Sequence, residues 1–173
     1  TEGIYAPFAD MSQRFIKFLE DHDLLFKKLN LIGFSEGAMI ALYSAGIEPR
    51  IEINKYVSIA SPHSGAFGQY YVKPGEGKIG DDFEWDSDFL KEDGEYHTAA
   101  LNVFNNYDKK QFLQIYSSVD KVAREKDIIR DPMGVRFTRT SVLRFKNHME
   151  RFKVTEGNKW HTALPGNIQT IAK

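Results

Sequence analysis

The most constraining feature of the chain is the stretch from Leu29 to Tyr43. Leu29-Asn30-Leu31-Ile32-Gly33-Phe34 is short and mostly apolar, the pattern of a parallel strand buried on both faces. Ser35-Glu36-Gly37 follows at once, and Ala38-Met39-Ile40-Ala41-Leu42-Tyr43 reads as a helix, with Gly46 as the expected C-cap and Pro49 as the stop. Gly33-Phe34-Ser35-Glu36-Gly37 is therefore a G-x-S-x-G turn between a strand and a helix, the setting that a nucleophile elbow requires. The motif recurs by chance, and its context gives it weight. A side chain at Gly33 or Gly37 is expected to crowd the adjoining strand and helix. The Ser35 hydroxyl would stand at a helix N-terminus, where the backbone N–H of Glu36 can point at a developing oxyanion.

The rest of the chain alternates in the same manner. Asp10 is expected to cap a first helix, with Gln13 completing a weak capping box and Met11, Phe15, Phe18 and Leu19 on its apolar face, ending between Asp21 and Asp23. Strands are predicted at 56–60, 112–116 and 151–155, and Asn167 opens a short terminal helix. Residues 61–110 are rich in Gly, Asp and aromatics, too long for a bare loop, and read as an insertion with short helices, a cap or lid. A second polar insertion runs from 121 to 147. Strands separated by helices argue for one α/β domain with a mainly parallel sheet.

Composition excludes several classes. The 173 residues carry a formal charge of −1, without the basic excess of a bulk nucleic-acid binder. Cysteine is absent, which removes disulfide scaffolds, thiol nucleophiles and cysteine-ligated zinc. No H-E-x-x-H or comparable set suggests a metal, and His22, His97 and His148 lack ligand spacing. No apolar run approaches the roughly 18 residues of a membrane span. The opening residues lack signal-peptide order, and no compartment can be read from them.

Several segments, in order, resemble the α/β-hydrolase superfamily, and within it lipases, esterases and palmitoyl-protein-type thioesterases. They are the elbow at 29–41, the strand end Val57-Ser58-Ile59-Ala60-Ser61-Pro62-His63-Ser64-Gly65, the strand and turn Ile115-Tyr116-Ser117-Ser118-Val119-Asp120, and Trp160-His161-Thr162-Ala163-Leu164. The resemblance implies Ser35 as nucleophile, His161 as base and Asp120 as the acid that orients it, in this superfamily's Ser, Asp, His order. Asp127 and Asp131 compete with Asp120 for the acid. Glu36 would give an oxyanion-hole N–H. His63 and Phe67 would line the substrate pocket, His63 as a packed wall residue rather than a base. The resemblance implies a carboxylic-ester hydrolase acting on a small-molecule or lipid acyl ester through an acyl-enzyme, without cofactor. An acyl-protein thioesterase, an acyltransferase and an inactive binding scaffold are the alternatives.

Plainer readings stand beside these roles. Ser35 could be an ordinary helix N-cap, His161 a surface histidine, and Asp120 a turn former. The Glu36 carboxylate is expected to pair with a cation, with a substrate contact as the alternative. The aromatics of 67–89 form either a small core or the wall of an acyl pocket. Rival hydrolases fit less well, since the one Asp-Gly, Asp93-Gly94-Glu95, does not match a patatin-type dyad. The resemblance also has a gap. Only 34 residues precede Ser35, with no convincing strand and no first oxyanion donor. The expectation is therefore the C-terminal portion of a longer hydrolase fold, with a neighbour for the 29–34 strand from another segment or a second chain, because a bare apolar edge is avoided.

Overall fold

Pro7 opens the first helix, α1 (Phe8–Asp21), and its carbonyl accepts the Met11 N–H at 3.1 Å. Asp10, the expected cap, instead lies in the first turn, where its charge suits the helix dipole. The buried face is also rotated from the expected one. Phe8, Ser12, Ile16 and Leu19 point inward, while Phe18 is half exposed. The Phe8 ring docks against Phe89 and Tyr96, and this anchor sets the rotation of the helix.

The computed structural model describes residues 7–65, 87–117, 127–130, 136–139, 144–155 and 161–166, with backbone only for 127–130, 136–139, 161 and 162. After α1 come β1 (Lys28–Phe34), α2 (Glu36–Ile47), β2 (Glu52–Ile59), α3 (Glu95–Asn106) and β3 (Phe112–Tyr116). Then follow β4 (Asp127–Arg130), β5 (Arg136–Arg139), β6 (Glu150–Lys153) and a 3-10 turn, His161–Gly166. Strands β1, β2, β3 and β6 form one sheet in that order, each parallel to its neighbour. The parallel α/β reading thus holds. The sheet's C-terminal edge carries Phe34, Ile59, Tyr116 and Lys153, so whatever follows those strands gathers at one end of the molecule.

Helix α2 is apolar almost all round because it is covered almost all round. It packs on β1, β2, α1 and α3, and buries Ala38, Met39, Ala41, Leu42, Tyr43 and Ser44. Gly46 is not its C-cap; Glu48 is. A Cβ at Gly46 would lie 2.2 Å from the Ala99 carbonyl oxygen, so glycine there lets α2 and α3 touch backbone to backbone.

Helix α3 falls inside the 61–110 stretch, yet it is a core element. Tyr96, Ala99, Ala100, Val103 and Phe104 are buried against α2, as the link between β2 and β3 passes over the sheet. Residues 66–86, the remainder of that stretch's aromatic part, lie outside the described residues. The 121–147 stretch holds an antiparallel pairing of β4 with β5 that polar composition concealed, and it ends with Phe145 in the main core. The terminal helix expected from Asn167 lies outside the described residues.

Among the described residues β1 pairs only with β2, and the neighbour expected beside it is not among them. Ile32 on this strand is 72% exposed. No helix of the described residues is long and apolar enough to cross a membrane.

Candidate active site

Ser35 joins β1 to α2 with φ 53° and ψ −128°, a left-handed conformation that costs a non-glycine residue about 1–3 kcal/mol. Its N–H donates to the Ile59 carbonyl at 2.8 Å. Its own carbonyl accepts from the Ser61 hydroxyl at 2.5 Å and from the Ala38 N–H at 3.3 Å. The side chain makes no capping bond to the helix, so Ser35 is not the ordinary N-cap that its position allows. The backbone is held from both sides while the hydroxyl is not used as a cap.

The two motif glycines act differently. A Cβ on Gly33 would come within 2.3 Å of the Ala38 Cα, so the strand and helix can meet only because that position is bare. A Cβ on Gly37 would meet nothing within 4 Å, which corrects the expectation of crowding there. Gly37 lies on the exposed side of the first turn, away from the sheet.

Glu36 is the first residue of α2, where backbone N–H groups have no partner within the helix. Its carboxylate is partly buried and Oε1 has no hydrogen-bond partner among the described residues. The expected ion pair is absent from those residues, and burial raises the carboxyl pKa above its ordinary value.

His63 is fully buried. Its Nε2 is hydrogen-bonded to the Ser58 hydroxyl at 3.0 Å and its Nδ1 to the Tyr96 hydroxyl at 2.6 Å. Its ring stacks on Tyr96 and meets Phe145 edge-on. Burial, with the Arg144 charge adding to it, pushes its pKa down to about 3. A neutral ring with both nitrogens engaged is a structural brace between β2 and α3. Phe67 lies outside the described residues.

The side chains expected to serve as acid and base lie outside the described residues. Asp120 would follow the end of β3 at Tyr116 but lies outside the described residues, as does Asp131. Asp127 begins β4, where only the backbone is described. His161 begins the 3-10 turn after β6; its side chain lies outside the described residues. Leu164 of the same turn is buried with Ile59, Ala60, Ile115, Tyr116 and Val154, which ties the turn to the C-terminal ends of the strands. Ser35 sits at that same edge of the sheet, where open α/β sheets bind ligands. Among the described residues no group of His, Asp and Glu could hold a metal ion.

Sequence reasoning missed Ser61 and Tyr96. Nothing in the sequence marks the Ser61 bond to the Ser35 carbonyl. Tyr96 could have been found from the apolar spacing 96, 99, 100, 103, 104, which is helical.

No protein-family model matches the chain, and no curated protein does. Solved structures do. One is a carboxylesterase from the ammonia-oxidizing thaumarchaeon Nitrososphaera gargenis, at 13% identity and a TM-score of 0.51, over 97% of this chain and 70% of that one. Another is the RedJ-thioesterase of the prodiginine pathway in Streptomyces coelicolor, at 15% identity and a TM-score of 0.42, over 86% of this chain and 60% of that one. With its parallel sheet, its elbow between β1 and α2, and its likeness to the carboxylesterase, the chain has an α/β fold of the α/β-hydrolase type.

Proposed function

We propose that the protein is a serine hydrolase that cleaves a small carboxylic ester through an acyl-enzyme. The observation that carries this reading is the conformation of Ser35. A strained serine, braced on both backbone sides and making no cap, suits a nucleophile better than a turn residue. The likeness to the carboxylesterase agrees in fold.

In this reading Ser35 Oγ attacks the ester carbonyl while His161 takes its proton. The tetrahedral oxyanion is met by the Glu36 N–H. Collapse expels the alcohol, which receives the proton from His161. Water, deprotonated by His161, then releases the acid and restores Ser35. Asp120 holds the His161 ring in the required tautomer. The order of segments along the strand ends supports these roles, as does the seating of Leu164 beside β2 and β3.

The test is labelling by a fluorophosphonate probe together with turnover of a p-nitrophenyl ester. Wild-type protein should be labelled at Ser35, and Ser35→Ala should lose both label and turnover. Labelling that persists in Ser35→Ala removes Ser35 from the role. An unlabelled wild type with an intact fold would turn the reading toward a binding scaffold.

A further inference from the structure

We propose that Ser61 is a positioning residue for the nucleophile, acting on its backbone rather than on substrate. This rests on the hydrolase reading above and adds a part to it. Two strained residues face each other across the ends of β1 and β2: Ser35 at φ 53° and Ala60 at φ 51°. Neither is glycine, so each conformation needs outside support. The Ser35 N–H is held by the Ile59 carbonyl at 2.8 Å, and the Ala60 N–H by the Ile115 carbonyl at 2.8 Å. These two bonds continue the sheet ladder past the strand ends. The first fixes the amide on the N-terminal side of Ser35 and leaves its carbonyl, on the C-terminal side, to be aimed separately.

The Ser61 hydroxyl supplies that aim. It donates to the Ser35 carbonyl at 2.5 Å, while the helical Ala38 N–H reaches the same oxygen at only 3.3 Å. The orientation of this peptide plane sets where the Glu36 N–H points, because that N–H and the Ser35 carbonyl belong to one planar unit. A hydroxyl bonded to the oxygen therefore steers the proposed oxyanion donor from the opposite end of the same plane.

Ser61 can steer because it is itself immobile. It is fully buried, and its carbonyl accepts the His63 N–H at 3.1 Å. His63 in turn is pinned to Ser58 on β2 and Tyr96 on α3. The path from the elbow to α3 therefore runs through bonded groups that are buried at every side chain.

The test compares wild type, Ser61→Ala and Ser61→Thr. Removing the hydroxyl should slow fluorophosphonate labelling at Ser35 and lower kcat by about ten- to a hundred-fold, the scale of a small misplacement at a reacting centre. KM should stay within about two-fold, since Ser61 does not touch substrate. Ser61→Thr keeps the donor and should recover most of the rate. Amide hydrogen exchange reads the elbow without any chemistry: the Ser35 and Glu36 amides should exchange faster in Ser61→Ala, while amides in the middle of α3 do not change. Unchanged labelling and unchanged exchange at the elbow overturn the proposal. So does a rate loss no larger than the unfolded fraction of the variant. If the wild type resists the probe while Ser61→Ala still loosens the elbow, the clamp stands and the hydrolase reading falls.

Discussion

The two flanks of the Ser35 turn are built on opposite principles. On the strand flank, Gly33 lies so close to Ala38 that no further atom fits, and Ser35 is tied by backbone and hydroxyl bonds to β2 and the residues after it. On the helix flank, Gly37 faces open space and the Glu36 carboxylate has found no partner among the described residues. One flank is closed and over-determined; the other is loosely furnished. A single five-residue motif thus contains one glycine demanded by packing and one that packing does not demand.

The contrast can be broken most decisively at Gly33. Gly33→Ala should destabilise the fold by about 3 kcal/mol or more, because a backbone atom of α2 stands where the methyl must go. Urea denaturation monitored by circular dichroism measures it. A loss below about 1 kcal/mol would mean that α2 can slide, and the closed flank is not closed.

The second effect is smaller and depends on pH. His63 braces the strand flank, and its pKa lies at about 3 in the fold against 6.5 for the ordinary group. Between those values the unfolded chain binds a proton that the folded one does not, so stability falls as pH falls from about 6.5 toward 3. Above 6.5 both states are neutral and the contribution is flat. The expected loss from pH 7 to pH 5 is about 2 kcal/mol, at about 1.4 kcal/mol per unit. A His63→Asn variant should be less stable at pH 7 and should show a shallower decline. Parallel declines in the two proteins would assign the acid sensitivity to other groups.

The smallest effect belongs to Gly37. Gly37→Ala should stabilise by about 0.5 kcal/mol, through helix propensity with no steric cost. A rise in Tm of a degree or more sharpens the contrast with Gly33; a fall shows that the exposed flank is constrained by something outside the described residues.

Much of this architecture was legible before any coordinates. The strand into Gly33, the serine at the turn and the mainly parallel sheet follow from patterns that local chemistry controls. The apolar run, however, suggested a strand buried on both faces, whereas β1 is an edge of the described sheet with Ile32 exposed. What escaped reading depended on distant partners. The rotation of α1 is set by Phe8 meeting Phe89 and Tyr96, far along the chain. Gly46 looked like a helix end because glycine often is one, whereas here it accommodates the Ala99 carbonyl of another helix. Helix α3 has clear helical spacing, but it emerges from a Gly- and Asp-rich stretch whose composition suggested a cap or lid with short helices rather than a core element. The Glu36 carboxylate was expected to pair with a cation as an acid at a helix N-terminus, and its burial without a partner among the described residues depends on packing that the sequence does not display.

The confinement of α2 bears on how such a molecule could be tuned. The helix that starts at the serine is gripped by a sheet and two helices, so it has no room to rock as a lever. In the hydrolase reading proposed above, Ser35 is therefore carried on a fixed platform. A substitution that forces α2 and α3 apart, such as one at Gly46, would be felt at the serine turn itself.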